Sequence, residues 1–143
     1  VLMAASYGAR LSGHKADAQA ERVMDYVGFD ASPDTPCEKL TTGQRKRLDL
    51  ARALASNPRL LLMDEAGAGL TPAELGQLTK LMQKICEQGI TIIVIEHLMR
   101  MIMGSCHKIL VLHYGEAIAI GAPSELVQNQ KVVDAYLGDR YEL

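Results

Sequence analysis

Two adjacent acids, Asp64 and Glu65, close an apolar run, Leu60-Leu61-Leu62-Met63, that follows the breaker Asn57-Pro58. Such a run reads as a buried strand, and in open α/β sheets ligands collect just beyond the carboxyl ends of the strands. Neighbouring residues on a strand face opposite sides. One carboxylate can therefore hold a hydrated magnesium ion while the other faces an attacking water. Magnesium-nucleotide chemistry is what this pair points to. Two solvated acids at an ordinary strand end account for the same letters, and so short a pattern does not decide between the two.

The segments that follow supply a frame for these acids. Thr71-Pro72-Ala73-Glu74 has the form of a capping box with proline at the first helical position. Leu75, Leu78, Leu81, Met82 and Ile85 then recur at helical spacing, and Gly89 supplies a stop. Ile90 to Ile95 reads as a second β-branched strand ending in Glu96 and His97. Strand, helix and strand in this order predict a βαβ unit with parallel strands and a right-handed crossover. Asp64, Glu65 and His97 would then emerge along one sheet edge.

Upstream, Leu40-Thr41-Thr42-Gly43-Gln44 leads into a helix expected to run through Ala55, with Leu48, Ala51, Leu54 and Ala55 facing inward. Thr41 or Thr42 can cap it. Arg45, Lys46 and Arg47 occupy its first turn, where the positive end of the helix dipole disfavours cations. A bound anion would offset that conflict, because a glycine beside hydroxyl side chains at a helix start lets a phosphate reach free N–H groups. A solvated basic surface explains the run equally well.

Leu40 to Gln44 resembles the LSGGQ-type signature of ATP-binding-cassette ATPases, and Leu60 to Glu65 resembles their Walker B strand with its catalytic glutamate. Ala68-Gly69-Leu70-Thr71 is similar to the D-loop of the branch that serves branched-chain amino acid importers, and His97 falls at the switch-histidine position. Gly115-Glu116-Ala117-Ile118, Gly121-Ala122-Pro123 and Val133-Asp134-Ala135-Tyr136-Leu137-Gly138 also resemble that branch. The resemblance implies an α/β, P-loop NTPase-like fold with a mostly parallel sheet, flanking helices and part of a helical subdomain. It further implies a head-to-tail pair of ATPase protomers. Thr41, Thr42, Gly43 and Gln44 would then serve the partner's ATP, with Gly69 of the D-loop also in the nucleotide site. Asp64 would hold Mg2+, Glu65 would polarise the hydrolytic water and His97 would contact the γ-phosphate. Closure of the dimer would drive transmembrane permease subunits, fed indirectly by a solute-binding protein.

Some positions depart from the family pattern. Thr41 replaces the usual serine and keeps its hydroxyl, Thr42 replaces a glycine or tyrosine, and Ala66 replaces a proline, which frees one φ angle. Leu98 and His107 stand where aspartates are common. The 143 residues contain no G-x-x-x-x-G-K-[ST] phosphate loop and no glutamine loop, and Val1 is not an initiator methionine. The chain is therefore expected to be the C-terminal portion of a longer ATPase and inactive alone. Without the strand and helix of the phosphate loop, one apolar sheet face should be uncovered. The alternative is a non-catalytic module that docks on a complete ATPase or permease and regulates it.

Composition narrows the field further. No apolar run approaches the roughly 20 residues that span a bilayer, so membrane contact is expected through a partner. A net charge of −2, one Phe and no Trp argue against a nucleic-acid surface. Three scattered cysteines without a C-x-x-C arrangement suit a reducing cytosol, and the resemblance implies a protein peripheral on the inner face of the membrane. Ordinary packing is expected of Cys106, His107 and His113 rather than metal ligation. Residues 1–42 are expected to be the distal part of the helical subdomain, and residues 43–143 the C-terminal part of the ATPase core.

Overall fold

The strand, helix and strand anticipated around Asp64 form as a parallel pair with the helix between them in sequence. A computed structural model describes residues 1–137 and divides the chain into two units between Glu96 and His97. The first unit contains α1 (His14–Val27), α2 (Thr42–Ala55), β1 (Leu60–Asp64), α3 (Pro72–Glu87) and β2 (Thr91–Ile95). A short π-type turn at Ala4–Gly8 precedes α1, and a 3-10 turn at Cys37–Lys39 precedes α2.

Each helix starts and stops for a local reason. Both α2 and α3 open on a complete capping box, Thr41 with Gln44 and Thr71 with Glu74, and Pro72 takes the first helical position of α3. Gly28 ends α1 in the left-handed conformation and donates its N–H to the carbonyls of Asp25 and Met24. On α1 the buried residues are Ala16, Gln19, Val23 and Val27, a single helical stripe. Gln19 is the one polar member. Its amide donates to Asn57 Oδ1 at 2.8 Å and its carbonyl oxygen accepts from Arg22 at 2.7 Å, so its burial leaves no polar group unpaired.

One hydrophobic cluster joins these elements. Ala5, Ala16, Val23, Val27, Leu50, Ala51, Leu54, Ala55, Leu61, Leu81 and Ile85 form it, with Met63 and Ile92 packed against its edge. On α2 the buried positions include Leu50, Ala51, Leu54 and Ala55, whereas Leu48 is only half-buried. Leu50 takes the place expected of Leu48 because a buried stripe running back from Leu54 and Ala55 at helical spacing reaches residue 50 or 51.

β1 and β2 pair in register from Leu60 opposite Thr91 to Asp64 opposite Ile95. The face carrying Leu61, Met63 and Ile92 meets the cluster. The opposite face is open, with Leu62 69% and Ile95 66% exposed beside Leu60 and Ile93. Alternation thus puts apolar residues on both faces, the pattern of a strand meant to be covered twice.

The second unit holds α4 (Met99–Ser105), β3 (Ile109–His113), β4 (Glu116–Gly121), α5 (Pro123–Leu126) and α6 (Gln130–Val132), followed by a π-type turn at Val133–Leu137. β3 and β4 make an antiparallel hairpin with a bulge between Val111 and Leu112. The two loop residues, Tyr114 and Gly115, have φ of 48° and 82°, the signature of a type I′ turn. The fold is α/β as expected, but these two strands form their own antiparallel sheet apart from β1 and β2. A two-residue connection permits no other pairing, since a parallel crossover needs about a dozen residues. Gly138 and the rest of the expected 43–143 segment beyond residue 137 lie outside the described residues.

Candidate functional site

Where β1 ends, the chain turns sharply. Asp64 is the last strand residue, and Glu65 adopts φ 45°, in the left-handed region, which costs a non-glycine residue of order 1–2 kcal/mol. Several hydrogen bonds hold the turn. The Glu65 N–H donates to Ile95 O at 3.0 Å, and the Glu65 carbonyl accepts from Ala68 N at 3.1 Å and from Lys46 Nζ at 2.8 Å. The Gly67 N–H donates to Glu96 Oε1 at 2.6 Å. Ala66 and Gly67 are buried between these anchors, while the side chains of Asp64 and Glu65 are exposed. Both acids therefore stand at the carboxyl edge of the parallel pair, as anticipated.

The start of α2 lies close by. Gly69, at φ 75°, sits where an added Cβ would come 3.3 Å from Thr42 Cγ2, so the segments that resemble the signature and the D-loop lie close together in one chain. Gly43 is buried against Glu74, whose carboxylate occupies the space a side chain would need. The Thr41 hydroxyl accepts from Gln44 N at 3.2 Å, and Gln44 Oε1 accepts from Thr41 N at 3.0 Å. The Gln44 amide also donates to Asp30 at 3.0 Å. Thr41 and Gln44 are thus engaged in the cap, and Thr42 is left exposed at the first helical position.

Arg45, Lys46 and Arg47, expected in the first turn with an anion to offset the helix dipole, fall across the first two turns of α2. The structure supplies other partners for two of them. Lys46 reaches the Glu65 carbonyl, and Arg47 donates to Val27 O at 2.6 Å, to Gly28 O at 3.3 Å and to the Gln77 side chain. Carbonyl oxygens carry partial negative charge, so they relieve the conflict without a phosphate. Neighbouring Glu74 has its carboxyl held below the usual carboxylate range, first by the Thr71 backbone N–H, then by the Thr71 hydroxyl, with Arg47 adding to it.

The residues present can be weighed against magnesium and ATP. Among the described residues no three His, Cys, Asp or Glu side chains converge on a metal site. Magnesium bound with nucleotide needs no such cage, since it keeps waters and takes one or two carboxylates plus phosphate oxygens. The exposed carboxylate of Asp64 fits that demand. His97, exposed, follows Glu96 and opens the second unit. Two residues that the motifs did not single out belong to this region: Lys46, hidden inside a basic run, and Glu96, noted only as a polar strand end. The second oxygen of Glu96, Oε2, is buried without a hydrogen-bond partner among the described residues.

The fold is that of the P-loop NTPase domains of ATP-binding cassettes. The structure of cbiO1 from Clostridium perfringens, part of the ABC transporter complex cbiONQ, matches with a TM-score of 0.77 at 28% identity, covering 91% of this chain and 53% of that one. The ADP conformation of MJ1267, an ATP-binding cassette of an ABC transporter, matches with a TM-score of 0.79 at 25% identity, covering 90% and 52%. The ABC transporter family model matches residues 3–68. Over part of their length, ATP-binding proteins of ABC transporters are therefore what this chain is similar to.

Among curated proteins, the lipopolysaccharide export system ATP-binding protein LptB of Acidithiobacillus ferridurans is 32% identical over 133 residues, covering 93% of this chain and 55% of that protein. The high-affinity branched-chain amino acid transport ATP-binding protein BraF of Pseudomonas aeruginosa is 34% identical over 131 residues, covering 91% and 51%. The chain spans about half the length of the curated relatives it matches. Export and import proteins both match, so the importer branch suggested by the D-loop and C-terminal patterns is not singled out. No helix among the described residues is long and apolar enough to cross a membrane.

Proposed function

We propose that this chain supplies the signature, Walker B, D-loop and switch elements of an ATPase that powers transport through a partner permease. The observation that carries the reading is the turn after β1. It presents two exposed carboxylates at the edge of a parallel strand pair, and its Gly69 lies against Thr42 of the capped signature helix. Asp64 would hold magnesium through water, and the ion would offset phosphate charge when bound. Glu65 would orient and polarise the hydrolytic water, and His97 would contact the γ-phosphate. Thr41, Thr42, Gly43, Gln44 and Gly69 would face nucleotide in a head-to-tail pair with a second ATPase protomer. These 143 residues contain no phosphate-gripping loop motif, so in this reading the assembly contributes that loop from elsewhere. Residues 1–42 act as the distal part of a helical subdomain, and the assembly sits on the inner face of the membrane through its permease.

Branched-chain or related amino acids are the cargo we propose, with import as the direction. The D-loop segment Ala68-Gly69-Leu70-Thr71 and the 34% identity to BraF support it. Reconstitution of the natural assembly in vesicles, with labelled leucine and ATP, tests both levels. ATP-dependent leucine movement is the expected result. Hydrolysis without leucine movement would assign another cargo, and absence of any hydrolysis would overturn the ATPase reading in favour of a docking module.

A further inference from the structure

Glu65 sits in a backbone conformation that its own side chain does not favour, and nothing in a strand end demands it. A residue persists there only when its surroundings over-determine it. Two of the surrounding groups are long side chains from distant parts of the first unit. Lys46, on the second turn of α2, sends Nζ to the Glu65 carbonyl at 2.8 Å. Glu96, just after β2, takes the Gly67 N–H on Oε1 at 2.6 Å. They grip the chain on either side of Ala66, which is buried and, unlike a proline, leaves its own φ unrestrained.

We propose that Lys46 and Glu96 are positioning residues that clamp the 65–67 segment and thereby aim the Glu65 carboxylate. The proposal rests on the reading of Glu65 as the residue that orients the hydrolytic water. The chemistry explains why each type is used. Lysine offers a flexible four-carbon stem and a point charge that reaches a carbonyl from the side of a helix. Glutamate offers an acceptor to an N–H that would otherwise be buried unpaired, which an apolar residue cannot do. If either clamp opens, residue 65 can relax to the ordinary helical or extended region. Its Cα–Cβ bond then swings, and the carboxylate leaves the place from which it faces water. Misplacement by about 1 Å is enough to cost of order a hundredfold in rate. Neither Lys46 nor Glu96 touches nucleotide in this account, so binding should be spared while the chemical step suffers.

The test uses the full natural assembly carrying Lys46→Met or Glu96→Ala, with Lys46→Arg and Glu96→Gln as conservative partners and Glu65→Gln alongside. Arginine can still donate to the carbonyl, and the glutamine amide oxygen can still accept from Gly67. Two quantities are read: the split between kcat and the KM for ATP, and nucleotide-free amide exchange over residues 64–70 compared with α2 and α3. We expect kcat to fall about tenfold or more in the methionine and alanine variants, with KM within about twofold of wild type. Exchange should quicken over 64–70 alone, and the conservative variants should recover most of both readouts. Wild-type kcat and exchange in Lys46→Met or Glu96→Ala would overturn the proposal. So would faster exchange throughout α2 and α3, which would mark a general structural role. Wild-type turnover in Glu65→Gln would instead sink the reading of the site, while the exchange data would still report on the clamp.

Discussion

Arg10, Asn57, Glu65 and Tyr114 are the described non-glycine residues in the left-handed region, and the turns at Tyr114 and Glu65 are held in opposite ways. Tyr114, at φ 48°, is followed by Gly115 at φ 82°, and the hairpin between β3 and β4 needs positive φ at both loop positions. Its conformation is dictated by the four residues around it. Glu65, at φ 45°, is held by Ile95, Lys46 and, through Gly67, Glu96, residues 19 to 31 positions away in sequence. One turn is a local solution and the other is imposed by tertiary contacts. A site that must aim a carboxylate gains from the second arrangement, because distant elements fix the residue without using its side chain.

That contrast can be broken or sharpened by substitution. The largest effect belongs to the frame beneath the Glu65 turn. Ile85 on α3 is fully buried in the main cluster, and Ile85→Ala should cost about 2–5 kcal/mol by transfer loss and cavity formation. Denaturant unfolding of the natural protein checks this. A loss under 1 kcal/mol would mean that the cluster does not carry the turn. At the local turn, Gly115→Ala forces a Cβ into φ 82° and should cost about 1 kcal/mol, read as a lower melting temperature of the second unit. Thr71→Ala removes the cap of α3 and should cost about 1 kcal/mol, seen in the same melts. Tyr114→Asn should stabilise the hairpin by up to about 1 kcal/mol, because asparagine tolerates the left-handed region. No gain there would mean that the exposed tyrosine ring, edge-on to His113, contributes more than its backbone strain costs.

The smallest effect concerns pH. The Tyr26 hydroxyl is buried without a hydrogen-bond partner among the described residues, and its pKa is raised above the ordinary tyrosine value by burial first and by the charge of Glu87 second. A raised folded-state pKa means that its contribution to stability is complete below the unfolded value of about 10 and is lost as pH rises through the folded value. Tyr26→Phe should therefore flatten the alkaline arm of the stability curve and leave neutral stability undiminished. An alkaline arm identical to wild type would contradict this.

Much of the frame was legible in the sequence because its signals are local. The two capping boxes, Pro72, the glycine stops at Gly28 and Gly89, and the apolar strand runs each specify their element within a few residues. The parallel pairing of β1 and β2 followed from the helix between them. Ile109 to Leu112 and Ala117 to Ile120 were legible as short strands around Tyr114-Gly115-Glu116, but their forming a sheet of their own was not, because which sheet a hairpin joins is a non-local property. The inward shift from Leu48 to Leu50 was missed because three apolar positions near one turn leave the stripe's phase open. At the site, the apolar run behind Asn57-Pro58 placed Asp64 and Glu65 at a strand end, whereas the roles expected of them and of Thr41 to Gln44 rest on the family resemblance. Lys46 and Glu96 were not found, since a basic run and a strand-end acid carry no mark of the backbone atoms they will meet. The open face bearing Leu62 and Ile95 was anticipated from the resemblance, because the residues contain no phosphate-loop motif whose strand and helix would cover it.

The central claim is that Glu65, aimed by its turn, carries out hydrolysis. Steady-state ATP turnover by the natural assembly, with and without Glu65→Gln, tests it most directly. The account predicts a fall of about a hundredfold or more with ATP still bound, because the amide cannot take up charge as the water is activated. Turnover at the wild-type rate would contradict it.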